Sequence, residues 1–267
     1  MRRKIFVVMA IGILASACTG PAGTPGDDGV IGPIGPIGPN GRSTWLTGPG
    51  LQFEITGATI TAGVATVDFT ISDADGVPRD LDGLYTEGAV APQFILAWLD
   101  ESANGVGQYT AYTTRDQTSP ITNVTETQAS TDSGGTLTEV GVGLGTYTYT
   151  FGTAITVANA ARTHTVGAYA TRTFDGKRYV ANTTFDFLPS GGAVATTRNV
   201  VSLDSCNGCH GRLEFHGGAR REVKLCILCH SPQTTDPDTG NTVDFKVMAH
   251  KIHRGDLLPS VIAGTPY

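Results

Sequence analysis

The chain has 267 residues, 40% of them hydrophobic, enough to bury a core in one or two modest domains. Only 16% are charged, and Gly, Thr, Ser and Ala are abundant, which suits an exported β protein better than a cytosolic helical one. The net charge of −6, with no long basic run, argues against a nucleic-acid partner.

Arg2, Arg3 and Lys4 precede an apolar run from Ile5 to Leu14 that is too short to span a bilayer as a helix. Ala15-Ser16-Ala17-Cys18 follows, in the manner of a bacterial lipoprotein signal. Residues 1–18 are therefore expected to be the leader, with Cys18 as the lipidated residue. Ala15 stands where a lipobox usually carries an aliphatic side chain, so plain cleavage after Ala17 is the alternative. Glycine then recurs at every third position from Gly20 to Gly41, with Pro21, Pro33, Pro36 and Pro39 in the slot after it. This is a collagen-type period. With so few triplets, residues 19–48 are expected to form an extended spacer, and trimerisation is the lesser alternative.

Residues 49–190 read as a β domain. Val67, Phe69 and Ile71 alternate on one face, and so do the residues of Thr146-Tyr147-Thr148-Tyr149-Thr150-Phe151. Gln93 to Leu99 is a more continuous apolar run. Thr165–Thr173 and Tyr179–Phe187 predict two strands joined by the Asp175-Gly176 turn. Five to eight strands, frequent turns and no helical period point to an antiparallel sandwich or Greek-key barrel. His164 is the one histidine before the C-terminal segment and is expected to serve the surface or the packing. Asp73, Asp75 and Asp80 read as turn residues rather than as a calcium site.

Chemistry concentrates in residues 191–267. Cys206-Asn207-Gly208-Cys209-His210 recurs as Cys226-Ile227-Leu228-Cys229-His230. C-x-x-C-H is the attachment signal of a c-type haem, in which two thiols bind the vinyl groups and the histidine ligates iron. Cys206, Cys209, Cys226 and Cys229 are thus the expected covalent anchors of two haems, with His210 and His230 as proximal ligands. His216, His250 and His253 compete for the distal positions, three candidates for two irons. Bis-histidine iron has no open site and suits electron transfer more than substrate turnover. A four-cysteine zinc site also fits the spacing, but it leaves the histidines unexplained. The segment has so little polypeptide per cofactor that it is expected to be unfolded without haem.

These words, with His216-Gly217-Gly218-Ala219-Arg220, Thr239-Gly240-Asn241-Thr242-Val243-Asp244-Phe245 and His250-Lys251-Ile252-His253-Arg254-Gly255, resemble the OmcA/MtrC family of decahaem c-type cytochromes. The likeness extends over roughly residues 50–267. It implies an outer-membrane surface lipoprotein that passes electrons to metal oxides, soluble shuttles or partner cytochromes, usually through a porin–cytochrome conduit. The family carries about ten haems on a longer chain, so a truncated gene is expected here. The expected fold is mainly β, an antiparallel sandwich followed by a small irregular and helical multihaem segment. Two other readings stand beside it: a β-domain adhesion protein with a structural four-cysteine zinc site, and a multihaem oxidoreductase with an open iron.

Overall fold

The computed structural model describes residues 48–101 and 107–264. The Cys18 lipidation site and nearly all of the glycine-triplet spacer lie outside the described residues. Ten strands and four short helices follow in order: β1 (Gln52–Thr61), β2 (Val64–Ser72), β3 (Gln93–Asp100), β4 (Gln108–Ala111), β5 (Thr114–Thr118), β6 (Thr125–Ala129), β7 (Thr136–Glu139), β8 (Thr146–Thr150), β9 (His164–Phe174), β10 (Lys177–Phe187), α1 (Leu203–His210), α2 (Val223–Cys229), α3 (Phe245–Arg254) and α4 (Pro259–Ile262). A 3₁₀ turn, Gly255–Leu257, joins the last two helices. No helix among the described residues is long and apolar enough to cross a membrane.

The strands build two four-stranded sheets, ordered β1-β2-β8-β7 and β10-β9-β3-β4, plus the β5-β6 hairpin. All pairings are antiparallel. Alternation sets the register, because a slip of one residue would turn every apolar side chain to solvent. Ala65, Val67, Phe69 and Ile71 of β2 point inward with Tyr147 and Tyr149 of β8. They meet Phe94 and Leu96 of β3 and Val166, Ala168 and Ala170 of β9 across the sandwich. The two tyrosines serve packing. Tyr149 stacks on Phe94 with ring centres 4.3 Å apart, and Tyr147 stacks on Phe69 at 5.6 Å. Each hydroxyl finds an acceptor, Tyr147 on the Arg79 carbonyl and Tyr149 on the Asp132 carboxylate, as buried phenols require.

Both long hairpins turn at a residue pair with positive φ, Ala62-Gly63 (49° and 81°) and Asp175-Gly176 (48° and 67°). That twist matches the flanking strands. His164 is fully buried at the start of β9. Its Nδ1 bonds to the Arg162 carbonyl at 2.9 Å and its Nε2 to the Tyr112 hydroxyl at 2.8 Å. The aspartates are turn clasps: Asp73 accepts the N–H groups of Gly48, Asp75 and Val77, and Asp80 those of Leu84, Tyr85 and Thr86.

The sheet containing β3 and β9 is covered on both faces. Phe94 and Leu96 face the sandwich core, while Ile95, Ala97 and Leu99 form a second core with Val223, Leu225, Ile227 and Leu228 of α2. A strand buried on both faces reads as a continuous apolar run, as Gln93–Leu99 does. Gly167 of β9 makes the space. A Cβ there would lie 2.5 Å from Leu228 Cδ1 and 2.7 Å from Leu225 Cδ1. Contact is polar as well. Gln233 bonds to both the N–H and the carbonyl of Ala111, Gln128 donates to the Thr235 carbonyl, and Ala129 N–H donates to Thr234 Oγ1. The C-terminal segment therefore has an apolar and polar seat on the sheet, in addition to the cofactors expected largely to hold it together.

Candidate haem site

The two cysteine motifs lie on two short helices. In α1 the Ser202 side chain caps the first turn by accepting the Ser205 N–H at 3.2 Å. Cys206 and Cys209, three residues apart, fall on one helix face, and His210 ends the helix. Gly211, with φ of 65°, closes it. No residue of α1 is buried. The chain after it is steadied by Asn207, whose side chain accepts the Leu213 N–H at 2.6 Å.

In α2 the same spacing puts Cys226 and Cys229 on one face, with His230 as the C-cap. Burial pushes the Cys226 and Cys229 thiols up to about 11, so they are neutral thiols when nothing is attached to them. Burial also pulls the His230 imidazole below its ordinary value. Its Nδ1 lies 3.1 Å from the Val243 carbonyl. With the proton held on Nδ1, the Nε2 lone pair is left for a metal. His253 and His250 on α3 have the same arrangement, with Nδ1 2.7 Å from the Ala249 carbonyl and 2.6 Å from the Lys246 carbonyl. Asp244 starts α3 by accepting the Val247 N–H, and the Phe245 N–H ties that start to the His230 carbonyl.

Five candidate histidines resolve into two pairs and one remainder. The His210 and His253 rings have centroids 6.1 Å apart, and the His216 and His230 rings 5.9 Å apart. Each pair joins one motif histidine to one from elsewhere in the segment. Two imidazoles on opposite sides of one metal, each bonded at about 2 Å, hold their ring centres roughly 6 Å apart. Among the described residues His250 has no ring partner of this kind, although it lies on the same helix as His253. Spacing along the chain left the three distal candidates equivalent. Only the packing of α3 and of the turn at His216 separates them.

The zinc alternative meets a geometric obstacle. Among the described residues no group of three or more His, Cys, Asp or Glu side chains gathers as a metal site, so the four thiols do not converge. None of the four is paired in a disulfide. The donor set fits haem c instead: two thiols on one helical face beside a histidine, twice, each histidine facing a second imidazole.

Residues 198–262 match a family model described as outer membrane cytochrome MtrC/MtrF-like, domains II/IV. The multihaem cytochrome MtrC of Shewanella baltica (strain OS185) is 31% identical over 224 residues, which is 79% of this chain and 31% of that protein. The chain belongs to the OmcA/MtrC family. Among solved structures, the outer-membrane decahaem cytochrome OmcA aligns with a TM-score of 0.59 at 28% identity, over 78% of this chain and 33% of that one. MtrC from Shewanella baltica OS185 aligns with a TM-score of 0.54 at 28% identity, over 78% and 34%. This OmcA/MtrC chain thus spans about a third of the length of the relatives it matches.

Sequence reasoning missed three residues around this OmcA/MtrC site. Tyr169 on β9 carries the Arg220 guanidinium over its ring, 5.0 Å from the centroid. Asn182 on β10 bonds the chain on both sides of Arg220. Gly167 admits α2. A glycine inside an otherwise β-branched and aromatic strand was the one visible signal, since such a glycine marks a close approach.

Proposed function

We propose that this chain carries two covalent c-type haems and passes electrons between them and partners outside the cell. The observation that carries the reading is the sorting of the histidines into His210–His253 and His216–His230. Cys206 and Cys209 would anchor the first haem and Cys226 and Cys229 the second. When bound, each haem supplies a one-electron carrier whose iron cycles between ferric and ferrous. With His210 and His253 on one iron and His216 and His230 on the other, no position would be left for oxygen or substrate, so the residues favour transfer over turnover. The backbone-held Nδ1 protons of His230 and His253 keep one ring of each pair oriented. The sandwich fixes the second site against a rigid sheet, and α3 brings His253 to the first.

The family resemblance supports the wider setting. The chain would be anchored in the outer membrane through a lipid on Cys18 and carried outward on the glycine-triplet spacer. It would exchange electrons with metal oxides, soluble shuttles or partner cytochromes, including those of a porin–cytochrome conduit. His250, outside the two ring pairs, is available to an iron outside these two sites.

The test is maturation in a host that attaches haem c, followed by peroxidase staining on a denaturing gel, pyridine haemochrome quantification and metal analysis. Two covalent haems per chain with a low-spin spectrum are expected. Purified protein that holds zinc and no covalent haem would overturn the proposal.

A further inference from the structure

The turn from Phe215 to Arg220 is bound to the outer face of the sandwich more closely than its exposure suggests. It closes on itself, with the Phe215 N–H donating to the Arg220 carbonyl at 3.0 Å and the Arg220 N–H to the Phe215 carbonyl at 3.3 Å. His216, Gly217 and Gly218 all have positive φ, at 53°, 69° and 78°. Two glycines accept that conformation freely, so the strain falls on His216, which must be turned toward His230.

One side chain of β10 holds this turn in place. The Asn182 amide donates to the Ala219 carbonyl at 2.9 Å, and its side-chain oxygen accepts the Arg221 N–H at 2.6 Å. The backbone is thereby fixed on either side of Arg220. Arg178, also on β10, donates to the Gly217 carbonyl. Asn182 opens a glycosylation sequon in the sequence, and in the fold it is a clamp. The Arg220 side chain is then seated on β9. Its guanidinium lies over the Tyr169 ring, and its Nη2 donates to the Tyr169 hydroxyl at 3.2 Å. A cation over a partly desolvated ring is attracted to its face and loses its freedom to swing into solvent.

Three neighbouring cations have acidic partners. Arg212 and Arg221 both pair with Glu214 at 3.0 Å, and Lys224 lies 3.9 Å from Asp186. Arg220 is bonded to a phenol, so its charge is not cancelled in this way. Arg220 closes the same turn that carries His216, whose ring centre lies 5.9 Å from that of His230. Of the acidic residues nearby, Glu222 precedes α2 and Asp244 precedes α3. Asp244 is committed to capping α3.

We infer that Arg220, seated on Tyr169 and held by the Asn182 clamp, is a fixed positive charge that raises the reduction potential of the haem at Cys226–His230. This rests on the haem reading of that motif. One electron passing from the first site to the second oxidises the first iron and reduces the second, with no proton moved and no bond changed. Reduction lowers the positive charge at the second site by one unit. A cation held beside it therefore penalises the oxidised form more than the reduced form and shifts the exchange toward the second site. Asn182 and Tyr169 are positioning residues for that cation. The β-sandwich thus sets a redox property of the segment beyond supporting it.

The experiment is a spectroelectrochemical titration of the full, haem-loaded chain, with haem content and spin state measured on the same samples. Arg220→Gln is expected to move one of the two titrating components to lower potential. An exchange constant shifted about tenfold corresponds to 59 mV for one electron. The other component stays in place, with two low-spin haems retained. Arg220→Lys keeps most of the wild-type value, while Arg221→Gln moves neither component. Unchanged potentials in a fully loaded Arg220→Gln protein overturn the inference, and so do equal shifts at both haems. Arg220→Met, which keeps the apolar stem, is the second uncharged variant. If both uncharged variants lose the second haem, Arg220 builds the site rather than tunes it, and the inference fails in that way. Wild-type protein lacking covalent haem would instead remove the functional reading beneath it.

Discussion

Helix α2 fully buries Val223, Leu225, Ile227 and Leu228 against the sheet that carries β3 and β9, whereas α1, with the same C-x-x-C-H word, fully buries no residue and only rests Leu203 and Cys206 against that core. One motif is part of a hydrophobic core and the other rests at its edge. The cause is the residues between and around the cysteines. Ile227-Leu228 in the second motif is Asn207-Gly208 in the first. The chemistry needs only the cysteines and the histidine, so the intervening pair is free to decide whether a haem helix becomes structural. In α2 it does. In α1 the Asn207 side chain caps the following turn instead. The second site is expected to be rigid without its cofactor and the first to depend on it.

Substitutions can break this contrast. Leu228 is fully buried, and Leu228→Ala should cost about 2–5 kcal/mol in denaturant unfolding of the cofactor-free chain. Leu203→Ala, at the start of α1 and only partly buried, should cost less than about 1 kcal/mol. Equal losses at the two positions would dissolve the distinction. Gly167→Val should cost about 1–3 kcal/mol by overpacking the seat of α2. Hydrogen exchange should then rise in α2 and stay as it was in β1 and β2. Ser202→Ala removes the cap of α1 and should cost about 1 kcal/mol of local helix stability. Amide exchange would register it in α1 alone.

The smallest expected effect concerns pH. Burial lowers the His164 pKa from its ordinary value of 6.5, because a charged imidazole would sit in the core between Tyr112 and Phe187. The folded chain binds that proton less readily than the unfolded chain. The stabilisation is fully present above pH 6.5 and is lost as pH falls through 6.5 toward the lower folded value. His164→Gln should flatten the thermal stability profile of the sandwich over that window. An unchanged slope would mean that other groups carry it.

The strong features of the fold were legible. Alternation marked β2 and β8, the Asp175-Gly176 turn marked the β9–β10 hairpin, and the apolar run Gln93–Leu99 fell on β3, whose burial on both faces the packing revealed. Strands β5 to β7 were not legible. Their sequences, TRDQT, TETQA and TLTE, are polar, and pairing and packing define them rather than apolar alternation. The helices are too short, at seven to ten residues for the three in and around the haem motifs, for a 3.6-residue period to emerge. At the site, the candidate anchors and candidate proximal ligands are named by the motif itself. The distal assignment could not, because it depends on where α3 and the Phe215–Arg220 turn pack. The Asn182 clamp was hidden for the same reason, since its partners lie 37 and 39 residues further along the chain.

The histidine sorting is the central claim, and its most direct measurement is low-temperature electron paramagnetic resonance on haem-loaded His253→Ala, His216→Ala and His250→Ala proteins. The account predicts that His253→Ala and His216→Ala each convert one haem of the two to a high-spin ferric signal, a different one in each case. His250→Ala should leave both low-spin. High-spin iron in His250→Ala, with His253→Ala unaffected, would contradict the pairing of His210 with His253.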